Sequence, residues 1–321
     1  MSPDAHVSLP AGTGPFVVES WTPGVGIDLV KHTDYWKEGR PYADAAEMRV
    51  ITETRTRLAA LQTGALNVAW LQAEMVSAAK DDPDIQVWSR PGVGWDGWYW
   101  TTGLPPYDDI RIRKAQIKAV DRKAVNNSIY LNTLNNHNAF AYDPATSPFG
   151  VDLTDLWEGE MKYDPPAAKA LVEEYAAEKG LTVPLTIKGV CERRPDRQQY
   201  CEFLQAAWSE IGLKFEFDIV PAAADRGRVM LECQTHVTQT GSTMNPLGTS
   251  LEALASWATN NYSANLCKDQ GQALGPENQA VQDALDAQFR AAQETTEPDK
   301  QAEAYRKAQR ITIPNLSLIH I

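Results

Sequence analysis

The most constraining feature of this chain is the punctuated order of its second half. Asp164-Pro165 pairs a capping residue with proline at a first helical position, and the helix that follows runs through Leu171 and Tyr175 to a stop at Gly180. V-P-L-T-I (183–187) then reads as a strand. A second helix from Pro195 through Leu204, Trp208 and Ile211 stops at Gly212, before the alternating strand L-K-F-E-F-D-I-V (213–220). Helix, strand, helix, strand is the order of an α/β sheet covered by helices. Two more helices are expected near the end, Pro276 to Ala292 and Pro298 to Ile311, the latter with Asp299 in its first turn, where a carboxylate suits the helix dipole.

The first half is less regular. F-V-V-E-S-W (16–21), a Pro23-Gly24 turn and I-D-L-V-K (27–31) read as an antiparallel pair. E-M-R-V-I (47–51) reads as a strand, T-R-T-R-L-A-A-L-Q-T-G (54–64) as a helix stopped by Gly64, and L-N-V-A-W (66–70) as a returning strand. The glycines of G-T-G-P-F (12–16) raise the question of a phosphate loop, but such a loop leads from a strand into a helix, and here Pro15 and a β-rich run follow. Gly12 and Gly14 are expected to ease a tight strand entry. Asp108 or Asp109 caps a helix carrying Ile112, Ala115, Ala119 and Val120, and a domain crossing is expected near residue 100.

At 321 residues the chain is long enough for about two domains. Its formal charge of −12 opposes phosphate backbones, so no nucleic-acid partner is expected. No apolar run approaches the roughly 20 residues that span a bilayer. The four cysteines, Cys191, Cys201, Cys233 and Cys267, lack the spacing of a zinc site. They fit one or two disulfides in an oxidising compartment, and equally four buried thiols in a reducing one.

Catalytic signatures do not emerge. His6, His32, His137, His236 and His320 are dispersed, and G-x-S-x-G, H-E-x-x-H and the P-loop do not occur. Asp81-Asp82 and Asp108-Asp109 sit beside prolines at element boundaries, where capping explains them better than acid–base work. Neither catalysis nor a metal or cofactor is expected. The chain is instead rich in large aromatics, ten Trp and eleven Tyr, and they concentrate in W-S-R-P-G-V-G-W-D-G-W-Y-W-T-T (88–102). On a strand Trp98 and Trp100 share one face and Tyr99 takes the other, so one face can join a core while the other borders a ligand cleft.

Taken in order, G-T-G-P-F, H-T-D-Y-W-K-E-G-R-P-Y (32–42), T-R-L-A-A-L-Q-T-G with L-N-V-A-W, P-P-Y-D-D-I-R-I-R-K-A-Q-I-K-A-V-D-R (105–122), Y-D-P-P-A-A-K-A-L and I-G-L-K-F-E-F resemble the family 5 extracellular solute-binding proteins of ABC importers, the oligopeptide, dipeptide and nickel group. The resemblance covers most of residues 12 to 311. It implies an α/β, bilobed, type II periplasmic-binding-protein-like fold, a small organic solute held between lobes, an ABC permease as membrane partner, a monomeric state and a periplasmic or extracytoplasmic location. It also implies that the N-terminal part of lobe I, with any signal peptide, lies outside this sequence. On that pattern residues 1–98 are partial lobe I, 99–312 are lobe II, and 313–321 are a truncated return toward lobe I, ending in an L-S-L-I-H-I that resembles adapter read-through. A chain lacking part of one lobe should close poorly on a ligand.

Peptide-binding members hold the ligand ammonium with an Asp in a D-x-x-[DE]-P-like motif. The matching stretch here is Ser242-Thr243-Met244-Asn245-Pro246, with Ser242 at the Asp position and Asn245 at the second acid. A charge-assisted hydrogen bond contributes roughly 1.5 to 3 kcal/mol, about ten- to a hundredfold in affinity, so its absence points away from free-amine peptides. Thr101 stands where the family commonly has Asn. The resemblance therefore nominates Trp95, Trp98, Trp100, Thr101, Ser242, Met244 and Asn245 as ligand-binding residues. Sugars or opine-like compounds are the alternative ligands, a sensory module is the alternative use, and an α/β hydrolase, which would need a nucleophile–base pair the sequence does not offer, is the last alternative. Arg193, Arg194 and Arg197 either pair with a ligand carboxylate or form a solvated helix start, and Asn260 and Asn261 either hydrogen-bond a ligand or end a helix.

Overall fold

Gly64, Gly180 and Gly212 all adopt positive φ, each just past the helix it was expected to end. The computed structural model describes residues 12–88, 94–101, 104–132, 144, 148–220, 235–243, 276–315 and 318–320. The chain divides into two units at Trp88/Ser89, earlier than the expected boundary after residue 98, so the whole aromatic strand belongs to the second unit.

The first unit is a three-stranded antiparallel meander, β1 (Phe16–Thr22), β2 (Gly26–Lys31) and β3 (Ala45–Arg49), with helices α1 (Thr54–Gln62) and α2 (Ala73–Lys80). β1 begins directly after Pro15, with no helix to present amides to a phosphate, and His32 Nδ1 lies 3.1 Å from the Gly14 carbonyl. The glycine run is a strand entry. L-N-V-A-W, expected as a strand, finds no ladder partner among the described residues, and Val68 and Trp70 stay exposed. A strand exists only through its neighbours, so the expected β-α-β alternation gives way to a meander. Trp36, Tyr42 and Trp70 are exposed as well, each with a cation over its ring from Lys37, Arg40 and Arg57 respectively.

The second unit holds a mixed sheet in the order β6-β5-β7-β4-β8, where β4 is Gly94–Trp100, β5 Leu185–Glu192, β6 Leu213–Val220, β7 Val237–Thr243 and β8 Leu318–His320. β5 runs parallel to both β6 and β7, while β4 is antiparallel to β7 and β8. The centre of the sheet is tight at Gly189. A Cβ there would lie 2.6 Å from the Phe215 ring and 2.8 Å from the Val237 carbonyl, so only glycine lets β5 fit between its neighbours.

Helices α3 (Ile110–Lys118), α4 (Arg122–Ser128), α5 (Thr154–Glu158), α6 (Pro165–Glu178) and α7 (Pro195–Glu210) accompany this sheet, and α8 (Pro276–Gln293) and α9 (Pro298–Asn315) close the unit as a pair. Asp109 caps α3 through the Arg111 amide and Asp164 caps α6 through the Ala167 amide, both as expected. Arg111 also ties α3 to α6 by reaching Glu174 and Glu178 at 2.8 and 2.7 Å. Asp82 instead accepts from the Asp84 amide and closes a turn. The core gathers Ile112, Val172, Ile187, Leu204, Trp208 and Phe215, all at most 1% exposed. Cys191 at the end of β5 is bonded to Cys201 in α7, with Cα atoms 6.6 Å apart, within the usual span of a disulfide. Cys233 and Cys267 lie outside the described residues.

Candidate functional site

β7 reads V-T-Q-T-G-S-T, a run with the composition of a loop, and becomes a strand by pairing along its whole length with the aromatic β4. The register runs from Trp100 opposite Val237 to Gly94 opposite Thr243, with no bulge. It sets Trp95 directly opposite Ser242. Two residues nominated from distant parts of the sequence thus meet as cross-strand partners, at the end of the ladder that leads into the Ser242–Pro246 stretch. Met244, Asn245, Asn260 and Asn261 lie outside the described residues.

Three other nominated residues turn out to be structural. Trp98 is fully buried, with ring centroids 5.6 Å from Tyr200, 5.8 Å from Trp208 and 5.6 Å from Phe215. Trp100 is fully buried too, stacked on Tyr107, and its indole N–H donates to Gln116 Oε1 at 2.6 Å. Both indoles spend their apolar faces on the second unit's core, so neither offers a plate to a solute. Thr101 is a latch at the other end of the ladder. Its hydroxyl donates to the Thr235 carbonyl at 2.7 Å and its amide to the His236 carbonyl at 2.9 Å, which leaves it buried and satisfied.

The three arginines do not act as a group. Arg194 forks onto Asp196, Arg197 is buried, and Arg193 is exposed. An interior void lined by Trp98, Trp157, Tyr200 and Trp208 measures about 10 Å³. That is room for about one water, far short of the roughly 300 Å³ that an organic ligand needs. Among the described residues there is no cluster of side chains able to hold a metal ion.

The approach to β7 carries a titratable group that sequence reasoning passed over as a dispersed histidine. His236 Nδ1 accepts the Lys188 amide N–H at 3.0 Å, while the His236 amide donates back to the Lys188 carbonyl. That acceptor role requires a neutral ring. Burial, reinforced by the nearby Lys188 ammonium, holds the pKa of His236 below the ordinary histidine value of 6.5. Between those two values the unfolded chain takes up a proton that the folded one refuses, so stability falls as pH drops from about 6.5 toward the lower, folded value. Urea unfolding at pH 7.5 and pH 5.5 should show this loss. A His236→Asn variant, which keeps an acceptor but cannot titrate, should lose less stability across the same interval.

Comparison with known proteins sets this geometry in context. Residues 3–263 match the family model described as bacterial extracellular solute-binding proteins, family 5 middle. The glutathione-binding protein GsiB of Salmonella choleraesuis is 24% identical over 308 residues, 94% of this chain and 56% of its own length. Heme-binding protein A of Haemophilus influenzae is 28% identical over 216 residues, 66% of this chain and 38% of its own. The chain thus spans roughly half or less of these relatives. Among solved structures, the binding protein MoaA of A. tumefaciens R10 in complex with mannopinic acid superposes with a TM-score of 0.76 at 22% identity, over 99% of this chain and 61% of that one. The dipeptide-binding protein of Pseudoalteromonas sp. SM9913 in complex with Met-Leu gives 0.69 at 19%, over 97% and 58%. Both are periplasmic binding proteins of the type II fold. With most of its length matched by the family model, the chain belongs to the family 5 bacterial extracellular solute-binding proteins.

Proposed function

We propose that the full-length protein is the extracytoplasmic substrate-binding component of an ABC importer, a monomer that captures a small organic solute, peptide or peptide-like, and passes it unchanged to a membrane permease. The observation that carries this reading is the family match over residues 3–263. Relatives named for dipeptide and glutathione binding support a solute of that size and polarity. The Cys191–Cys201 bond supports an oxidising compartment outside the cytoplasm. Among the described residues no helix is long and apolar enough to cross a membrane.

A second ligand reading is favoured by Ser242. A hydroxyl at the position where the resemblance sets the ammonium-binding Asp offers a neutral hydrogen bond in place of an ion pair, which suits sugars or opine-like compounds better than free-amine peptides. Thermal unfolding of the full-length protein separates the two, because a ligand that binds the folded state raises the midpoint. The panel is dipeptides, oligopeptides, N-acetylated peptides, sugars and opines. At least one class is expected to raise the midpoint by several degrees. A rise with free-amine peptides would show that another group replaces the missing Asp, and a flat response to every class would remove the transport reading.

A further inference from the structure

Three buried side chains of the second unit carry a polar atom that the described residues leave unbonded. The indole nitrogens of Trp98 and Trp157 and the hydroxyl of Tyr200 are shut off from solvent, and none of them finds a hydrogen-bond partner there. Trp98 comes from β4, Trp157 from α5 and Tyr200 from α7, yet all three line the same interior void of about 10 Å³. A stranded buried polar group is costly, so three around one void call for a shared partner.

The rest of the lining narrows what that partner can be. Ile117, Val120 and Leu204 are apolar, and Trp208 already donates its indole N–H to the Gln116 carbonyl at 3.3 Å. Arg122 sets its guanidinium 4.1 Å from the Trp157 ring centroid, which occupies a face of that indole and leaves its N–H edge unused. A metal ion would meet two N–H donors and a guanidinium, so the lining rejects it. Trp98 and Tyr200 are neighbours, with ring centroids 5.6 Å apart, and the indole partly offsets the upward push that burial gives the Tyr200 hydroxyl pKa. The two are still not aligned to bond each other directly.

We infer that this void is a binding site for a single water molecule, held by the Trp98 and Trp157 indoles and the Tyr200 hydroxyl. The volume admits one water and nothing larger, and three hydrogen bonds are the usual complement of a buried one. Water accepts from both indoles, and the Tyr200 hydroxyl can take either role toward it. The bridge ties β4 to α5 and α7, so the aromatic core is fixed by a polar link as well as by packing.

The test is a high-resolution crystal structure of the full-length protein, from crystals grown in bromide. One water-sized peak is expected in the void, roughly 2.7–3.2 Å from both indole nitrogens and the hydroxyl, without anomalous signal. An empty void, or an anomalous bromide peak in it, would overturn the inference. In solution Tyr200→Phe gives an independent sign. A hydroxyl bonded to water takes a hydrogen bond with it when removed, so the unfolding midpoint should fall by about 2–4 °C. A stranded hydroxyl is a liability, and a midpoint that stays level or rises would contradict the bridge.

Discussion

Trp98→Ala is expected to destabilise the protein by about 3–5 kcal/mol, lowering the unfolding midpoint by on the order of 10 °C. The cost comes from the cavity left among Tyr200, Trp208 and Phe215, whose rings contact Trp98 from three sides. Fully buried aromatic clusters cannot collapse around so large a void, so the lost contacts are not recovered. Thermal and urea unfolding of the variant measure the loss. A variant that unfolds like the wild type but loses solute affinity would return Trp98 to the ligand-facing role it has here ceded to the core.

The second large effect is expected at Gln116, which is fully buried in α3. Its amide accepts the Trp100 indole N–H and donates to the Tyr107 hydroxyl, both at 2.6 Å, so one side chain satisfies two buried polar groups. Gln116→Leu keeps the volume and strands both partners at once. An unsatisfied buried group costs roughly 1–3 kcal/mol, so the pair should cost about 2–6 kcal/mol, a range that spans the Trp98 cavity despite the absence of any void. Tyr107 is itself fully buried, so water does not reach its hydroxyl to compensate, and the same burial holds its pKa well above the ordinary tyrosine value. The measurement is urea unfolding, and a loss below about 1 kcal/mol would mean that the two groups find other partners.

These residues also mark how far the sequence can be read. Caps and stops were legible because their physics is local: Asp109 and Asp164 cap from a side chain two or three residues away, and Gly64, Gly180 and Gly212 take a backbone conformation that other residues resist. Strands were legible only where the hydrophobic pattern spoke for them. L-N-V-A-W has that pattern but no partner among the described residues, and β7 has a partner but a Thr-, Ser- and Gly-rich sequence that reads as loop. Pairing is a long-range property, so L-N-V-A-W was misread as a strand and β7 gave no strand signal to read.

The candidate site follows the same rule. Alternation along β4 said that Trp98 and Trp100 share a face, but not that this face would be the inner one, which depends on α7 and β6 supplying Tyr200, Trp208 and Phe215 to cover it. Nothing local in either segment announces that Trp95 meets Ser242. That pairing exists only in the register of two strands brought together by everything folded between them. His236 was passed over because its role depends on an amide from another strand.

The function proposed for the full-length protein is to bind a small organic solute and do no chemistry on it. Calorimetric titration of the full-length protein with the compound giving the largest midpoint shift, followed by mass spectrometry of that compound after prolonged incubation, tests it most directly. One solute per chain, recovered at its original mass, is the predicted result; a compound recovered cleaved or otherwise altered would contradict the claim.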